Sequence, residues 1–303
     1  MRNVLSVTHI GPDGLRWVLD RAAQWKRGEP EPLVDRPLAV LLLERTAFRT
    51  RLAYEGALLN LGGSLVPFER RLESRESLDD VARVLSHMSD VVLARVKDHG
   101  KLETLAEMTT VPVINALSSQ EHPVEVLADA LVLVETFGDL MGKKIAFAGD
   151  GGNVCQSLLL LAPLLGMDAA VSSPAGYASS GQILDQAAKL AAAAGCAFSI
   201  ESEPGVAVQG ACAVYTDGWP LVNDDLEATE RLFGSYRVDE DLMALADAEA
   251  IFLHCLPARR GREVTAGVID GPQSRAFDRL DNLVPTSTAL LEWAMSTEAS
   301  RQP

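Results

Sequence analysis

The feature that most constrains this chain is a twofold series of short apolar runs alternating with amphipathic stretches. "PLAVLLLE" (37–44) is a continuous apolar run of the kind buried on both faces of a parallel sheet. Helical periodicity precedes it at 13–27 and follows it at 50–61, where Gly62-Gly63 stops the pattern. Strand-like runs recur at 64–68, 90–96 and 111–116, and helical ones at 77–88, 100–109 and 122–138. Ser77 is an N-cap candidate, with Asp79 and Asp80 in the first turn. The alternation restarts at "KKIAFAGD" (143–150) and runs through strands in "DAAVSSP", "CAFSIES", "CAVYTDGW" and "AIFLHCLP" (250–257) to a last helix at 284–296.

Two such series predict two Rossmann-like α/β domains, each with a mainly parallel sheet flanked by helices. The boundary falls near Gly138–Gly142. We expect one domain over 1–138, with the C-terminal helix (284–303) packing back on it, and a second over 139–283. Ligands of such sheets sit at the carboxyl ends of the strands, so the expected site lies between the domains.

Bulk properties narrow the function. The chain has 303 residues and a net charge of −15, which speaks against nucleic acid or an anionic membrane surface as partner. An anionic small molecule would need a locally basic pocket. No apolar stretch reaches the ~18 residues of a membrane span, and the N-terminus lacks the apolar core of a signal peptide. Four cysteines without a CxxC pattern read as reduced thiols, which fits the cytoplasm.

The chemistry-bearing stretches sit at predicted strand ends. "RTAFRTR" (45–51) joins a strand to a helix, where free backbone N–H groups and the positive helix end favour an anion. Arg49 can add a two-pronged grip, although a solvated helix start explains the same residues. In "EHPVEVLAD" (121–129), His122 and Glu125 share the face of a helix start. "GDGGN" (149–153) does not meet GxGxxG, so a nicotinamide dehydrogenase is disfavoured. Asp217, His254 and Cys255 end apolar strands. No metal is expected there, because neighbours along a strand point to opposite faces and no second ligand pair is spaced for one.

The order of these blocks resembles the aspartate/ornithine carbamoyltransferase superfamily, on the ornithine side, over nearly the whole chain. "RTAFRTRLAYE" stands for the family's Ser-Thr-Arg-Thr-Arg motif. "ESLDDVARVLS", Arg95 in "LARV", "HPVEVLADAL", "FAGDGGN", "YTDGW", "FLHCLPARRG" and "EVTAGVIDGPQSRAFD" follow in order. The resemblance implies transfer of a carbamoyl group from carbamoyl phosphate to the amine of ornithine or a related amino acid or amine, releasing phosphate. It implies no metal or organic cofactor, and a homotrimer. Position by position, Arg49 and Thr50 would bind phosphate beside Ala47 and Phe48. Arg95 and His122 would face the carbonyl oxygen, and Glu125 the carbamoyl amide. Asn153, Asp217, Leu221 and Val222 would hold the acceptor. Cys255 and the Leu256 carbonyl would lie beside the attacking amine, with Arg95, His122 and Cys255 closest to the chemistry.

Several positions depart from the family pattern. Ala47 and Phe48 replace Ser and Thr, Glu125 replaces a glutamine, and Leu283 replaces an arginine of ornithine enzymes. "DGWPLVN" lacks the family's Ser-Met pair. A carboxylate ~7 Å from phosphate costs roughly 2 kcal/mol per unit of phosphate charge at an effective dielectric of ~20. We expect Arg71, in "ERRLESRE" (69–76), to supply the answering cation. These losses also motivate a competing expectation, a non-catalytic ligand-binding or regulatory relative.

Overall fold

The computed structural model describes residues 2–69 and 76–297. Arg70 and Arg71 lie outside the described residues, and with them the expectation about Arg71. The chain forms two compact units. The first runs to Leu131 and takes in the stretch from Leu280; the second is Val132–Arg279.

Unit 1 comprises α1 (Gly11–Arg27), β1 (Leu38–Leu43), α2 (Phe48–Asn60), β2 (Ser64–Phe68), α3 (Leu78–Met88), β3 (Val91–Arg95), α4 (His99–Met108) and β4 (Val113–Leu117). α5 (Pro123–Phe137) starts in this unit. The sheet has order β2-β1-β3-β4 and every pairing is parallel. β1 and β3 are apolar almost throughout because helices cover both faces of a parallel sheet. Ser77 caps α3 as expected, accepting from the Asp80 N–H. α1 ends where Gly28 turns left-handed at φ 69°, a region open to glycine at little cost.

The order reverses between β1 and β3, so the ends of these two strands flank a topological switch point. Such points are where open α/β sheets bind ligands. Leu43 pairs with Arg95 at that end. On the other side, the register of β3 against β4 shifts between Ala94 and Arg95, a local irregularity of the kind that re-aims a side chain.

Unit 2 comprises β5 (Lys144–Ala148), α6 (Asn153–Leu164), β6 (Asp168–Ser172), α7 (Gly181–Ala194), β7 (Phe198–Glu201), α8 (Pro204–Val208), β8 (Ala213–Thr216), α9 (Leu226–Phe233), α10 (Glu240–Met243), β9 (Ile251–His254) and α11 (Ala266–Ile269). Its parallel sheet has order β7-β6-β5-β8-β9. Here the switch point falls between β5 and β8.

The last helix, α12 (Leu280–Met295), packs on α1 and α2. It begins four residues earlier than expected. The sequence places Pro285 at the first turn, where proline is tolerated, but Pro285 stands inside the helix. Leu283 is therefore helical and buried, packed with Ala53, Ala128 and Leu280.

Candidate active site

In unit 1, α2 begins at Phe48 with Ala47 as its N-cap residue, and no side chain caps it. The first backbone N–H groups of the helix are left to other acceptors. Phe48 is 76% exposed, whereas Thr50, two residues on, is buried. Arg49 is half-buried. From the end of β3, Arg95 Nη1 donates to Thr50 Oγ1 at 3.1 Å and stands 3.5 Å from His122 Nε2. His122 is buried, and its Nε2 lies 3.4 Å from Glu125 Oε1, one helical turn along α5. The geometry thus joins Thr50, Arg95, His122 and Glu125 in one group.

His122 is placed by a braced turn. Ser118 N–H donates to the Glu121 carbonyl at 2.9 Å, and Asn115 Nδ2 donates to Ser118 Oγ at 3.1 Å. His99 Nδ1 lies 2.7 Å from the same hydroxyl. The Glu121 carboxylate accepts from Val7 N–H at 3.1 Å. Burial holds the His99 pKa below its usual range, so a neutral ring joins this bracing.

In unit 2, Asp150 and Asn153 follow β5, Asp217 follows β8 and Cys255 follows β9. The glycines of "GDGGN" serve close packing. A Cβ on Gly151 would lie 2.2 Å from the Ser179 backbone nitrogen, and Ser179 Oγ donates to the Gly151 carbonyl at 2.9 Å. Gly149, at φ 129°, holds a conformation that side-chain-bearing residues rarely adopt, and a Cβ there would lie 3.1 Å from Thr216 Oγ1 and 3.4 Å from Trp219 Nε1. Asn153 opens α6 and is half-buried.

Cys255 Sγ donates to Asp217 Oδ1 at 2.9 Å. Burial and the negative charge of Asp217 push the Asp150 carboxyl up to about 6. Acidic groups therefore gather at the β5–β8 switch point, which suits an ammonium group.

The strand-alternation argument does not hold at the end of β9. Donor atoms of Asp217, His254 and Cys255 all lie within 4.8 Å of one another. β9 ends at His254, so strict alternation does not extend to Cys255. These atoms are engaged with protein: Cys255 with Asp217, and His254 Nδ1 with the Leu256 N–H at 2.8 Å.

That second bond helps hold Leu256 at φ 59°, an uncommon conformation for a branched residue, while its side chain packs on the unit 2 core. Behind His254 lies buried Glu263, 3.7 Å away. Burial works against the Glu263 carboxylate, but His254 and backbone N–H groups outweigh it and hold the pKa below the usual range. Sequence reading missed this partner, nine positions from His254.

Leu221 and Val222 stand apart from the Asp217–Cys255 pair in their hydrogen bonding. Val222 N–H donates to Thr229 Oγ1 at 2.9 Å on α9, and Asn223 and Asp224 turn left-handed. Leu221 is exposed. Leu283 lies in the apolar contact between α2, α5 and α12.

Two family models match in series. The aspartate/ornithine carbamoyltransferase carbamoyl-P binding domain matches residues 2–135, and the Asp/Orn binding domain of the same family matches residues 141–294. An ornithine carbamoyltransferase of Methanobrevibacter smithii is 41% identical over 298 residues, covering 96% of this chain and 98% of the relative. One from Halalkalibacterium halodurans is 38% identical, covering 96% and 94%. Among solved structures, the ornithine carbamoyltransferase from Pyrococcus furiosus superposes with a TM-score of 0.93 at 35% identity, covering 97% of each chain. That from Gloeobacter violaceus gives 0.91 at 35% identity, covering 98% and 99%. With both domain models matched in order over nearly its whole length, this chain belongs to the aspartate/ornithine carbamoyltransferase family.

Proposed function

We propose that this enzyme moves the carbamoyl group of carbamoyl phosphate to the amine of ornithine or a closely related amino acid and releases phosphate. The observation that carries the reading is Arg95, held at the unit 1 switch point against both Thr50 and His122. Attack on the carbamoyl carbon builds negative charge on its oxygen, and a fixed guanidinium beside an imidazole stabilises that charge without reorganising.

Arg49, Thr50 and the backbone N–H groups at Ala47–Phe48 hold the phosphate. Glu125 accepts from the carbamoyl NH2. In unit 2, Asp217 and Asn153 hold the acceptor's charged end, with the turn at Leu221–Val222 shaping its surroundings. Cys255 and the Leu256 carbonyl lie beside the attacking nitrogen, which must shed a proton to react. The relatives named above are carbamoyltransferases, which gives a non-catalytic reading no support.

We infer a homotrimer. Unit 1 exposes Leu52, Leu59, Val66, Phe68, Val84 and Met88 on α2, β2 and α3, and β2 is an edge strand. An exposed apolar set of this kind on an edge strand favours a covering partner. We place the enzyme in the cytoplasm, since its four cysteines form no disulfide. No helix among the described residues is long and apolar enough to cross a membrane.

The test is carbamoyl phosphate incubated with a panel of amines, scoring phosphate release and the carbamoylated product together. Saturable turnover with ornithine or a neighbour in side-chain length supports the reading. Phosphate release without an amine product contradicts it. Sedimentation of the full chain tests the trimer, and a monomer overturns it.

A further inference from the structure

The turn that delivers His122 to Arg95 closes on one buried hydroxyl. Ser118 Oγ accepts from Asn115 Nδ2 at 3.1 Å and from the backbone N–H groups of Gln120 and Glu121 at 3.3 Å each. The Asn115 amide is held this way round by the Leu5 carbonyl, which accepts from the same Nδ2 at 2.8 Å. All three nitrogens can only donate, whereas a hydroxyl offers two lone pairs and one proton. Its acceptor side is therefore filled, and its proton must leave in another direction. His99 Nδ1 stands 2.7 Å away, the shortest of these contacts, while the Glu121 carbonyl lies at 3.5 Å. The Ser118 hydroxyl thus donates to His99 Nδ1. This sets the state of the ring: Nδ1 carries no proton, and the single ring proton is on Nε2, 3.8 Å from the Glu103 carboxylate.

The surroundings keep that state. His99 is buried and is the first residue of α4, at the positive end of the helix. Burial is the main cause that lowers its pKa, and His9 acts the same way; Glu103 and Asp98 pull upwards and are outweighed. An imidazolium would aim Nδ1–H at Ser118 Oγ as a fourth donor on two lone pairs, and a bond of the turn would have to break. The Ser118 N–H bond to the Glu121 carbonyl at 2.9 Å closes residues 118–121 into a ring. His122 leaves this ring with Nε2 3.5 Å from Arg95 Nη1. A small shift of the turn would carry the imidazole off the position where charge develops.

We propose that His99 is a positioning residue for carbamoyl transfer: as the neutral Nε2–H tautomer it takes the Ser118 hydroxyl proton, locks the 118–121 turn and so sets the His122 imidazole beside Arg95. This rests on the carbamoyl-phosphate reading of the site and deepens it. His99 touches no substrate and acts through Ser118 and His122.

Asn and Leu at position 99 separate this role from packing. Asn Oδ1 stands as many bonds from Cβ as His Nδ1 and accepts without titrating, whereas Leu accepts nothing. Full-chain His99→Asn and His99→Leu are compared with the unsubstituted enzyme in steady-state kinetics with both substrates varied, below the melting temperature of each. We expect His99→Leu to lower kcat and kcat/KM for carbamoyl phosphate about tenfold, the scale of one lost buried hydrogen bond. The acceptor KM should stay within about twofold, and His99→Asn should return kcat to within about threefold of the unsubstituted enzyme. Proton–nitrogen NMR of histidine-labelled protein should show His99 protonated on Nε2 alone. The His122 ring signals should shift in the Leu variant and stay near their native positions in the Asn variant. Equal loss in the two variants overturns the proposal, as does no loss in either or a His99 proton on Nδ1. The tautomer is read on the unsubstituted protein, so it decides even if a variant fails to fold. Turnover by the unsubstituted enzyme leaves the functional reading standing whatever the variants do. No turnover overturns that reading, and the two NMR results then decide alone whether His99 holds the turn.

Discussion

Units 1 and 2 use one topological device for opposite electrostatic ends. In unit 1 the sheet reverses between β1 and β3 and gathers Arg49, Arg95 and His122; in unit 2 it reverses between β5 and β8 and gathers Asp150, Asp217 and Cys255. The first suits an anion, the second an ammonium group. What differs is how far each has been rewritten. In unit 2 the anchors Asn153, Asp217 and Cys255 match the family pattern, and the change lies in the turn at 221–223. In unit 1 the cations remain, but the surrounding Ala47, Phe48, Glu125 and Leu283 all depart from it. Set against the pattern that the family resemblance implies, two hydroxyl donors and a cation are absent there and an anion is present.

Substitutions that attack one half should break this comparison cleanly. Arg95→Leu should be the most damaging, lowering kcat/KM by about 10³-fold or more, since a buffered amine cannot replace a fixed transition-state donor. Steady-state kinetics with both substrates varied would check it; a loss below tenfold would remove Arg95 from the centre of the chemistry. Asp217→Asn attacks the other half. It should raise the acceptor KM by about ten- to a hundredfold and leave carbamoyl phosphate affinity nearly unchanged, as loss of a charge-assisted bond implies. An equal effect on both substrates would deny that the two ends are separate.

Glu125→Gln should act in the opposite direction. With the carboxylate neutralised, carbamoyl phosphate should bind about tenfold more tightly, consistent with a Coulomb cost of ~2 kcal/mol at ~7 Å. Weaker binding, measured by calorimetry, would mean that Glu125 assists the anion. The smallest effect concerns Asp150. Its pKa is raised in the folded state to about 6 from an ordinary 3.8, so ionisation opposes folding. The cost is full above pH 6 and disappears as pH falls towards 4. Asp150→Asn should therefore stabilise the protein by about 1–3 kcal/mol at pH 8 and by almost nothing near pH 4. Urea unfolding at the two pH values reads this directly; an equal gain at both would trace it to packing instead.

Much of this architecture is legible in the sequence because parallel strands are apolar on both faces and helices repeat at 3.6 residues. Among the described residues, eight of the nine strands fall within the apolar runs, and β4 extends one residue past its run, to Leu117. What escaped has physical reasons. α8, α10 and α11 have four or five residues, too few to show a period. Pro285 masked the start of α12, because proline at the first turn is the commoner arrangement. Leu283 reads in sequence as a lost cation, whereas the structure also makes it part of an apolar contact.

The most direct test of the central claim is steady-state formation of a carbamoylated amine by the unsubstituted enzyme, with ornithine and amines of neighbouring length offered against carbamoyl phosphate. The account predicts saturable product formation, with kcat on the order of 1 s⁻¹ or more for at least one amine, and phosphate released in equal amount. Tight binding of carbamoyl phosphate with no product from any amine would contradict it.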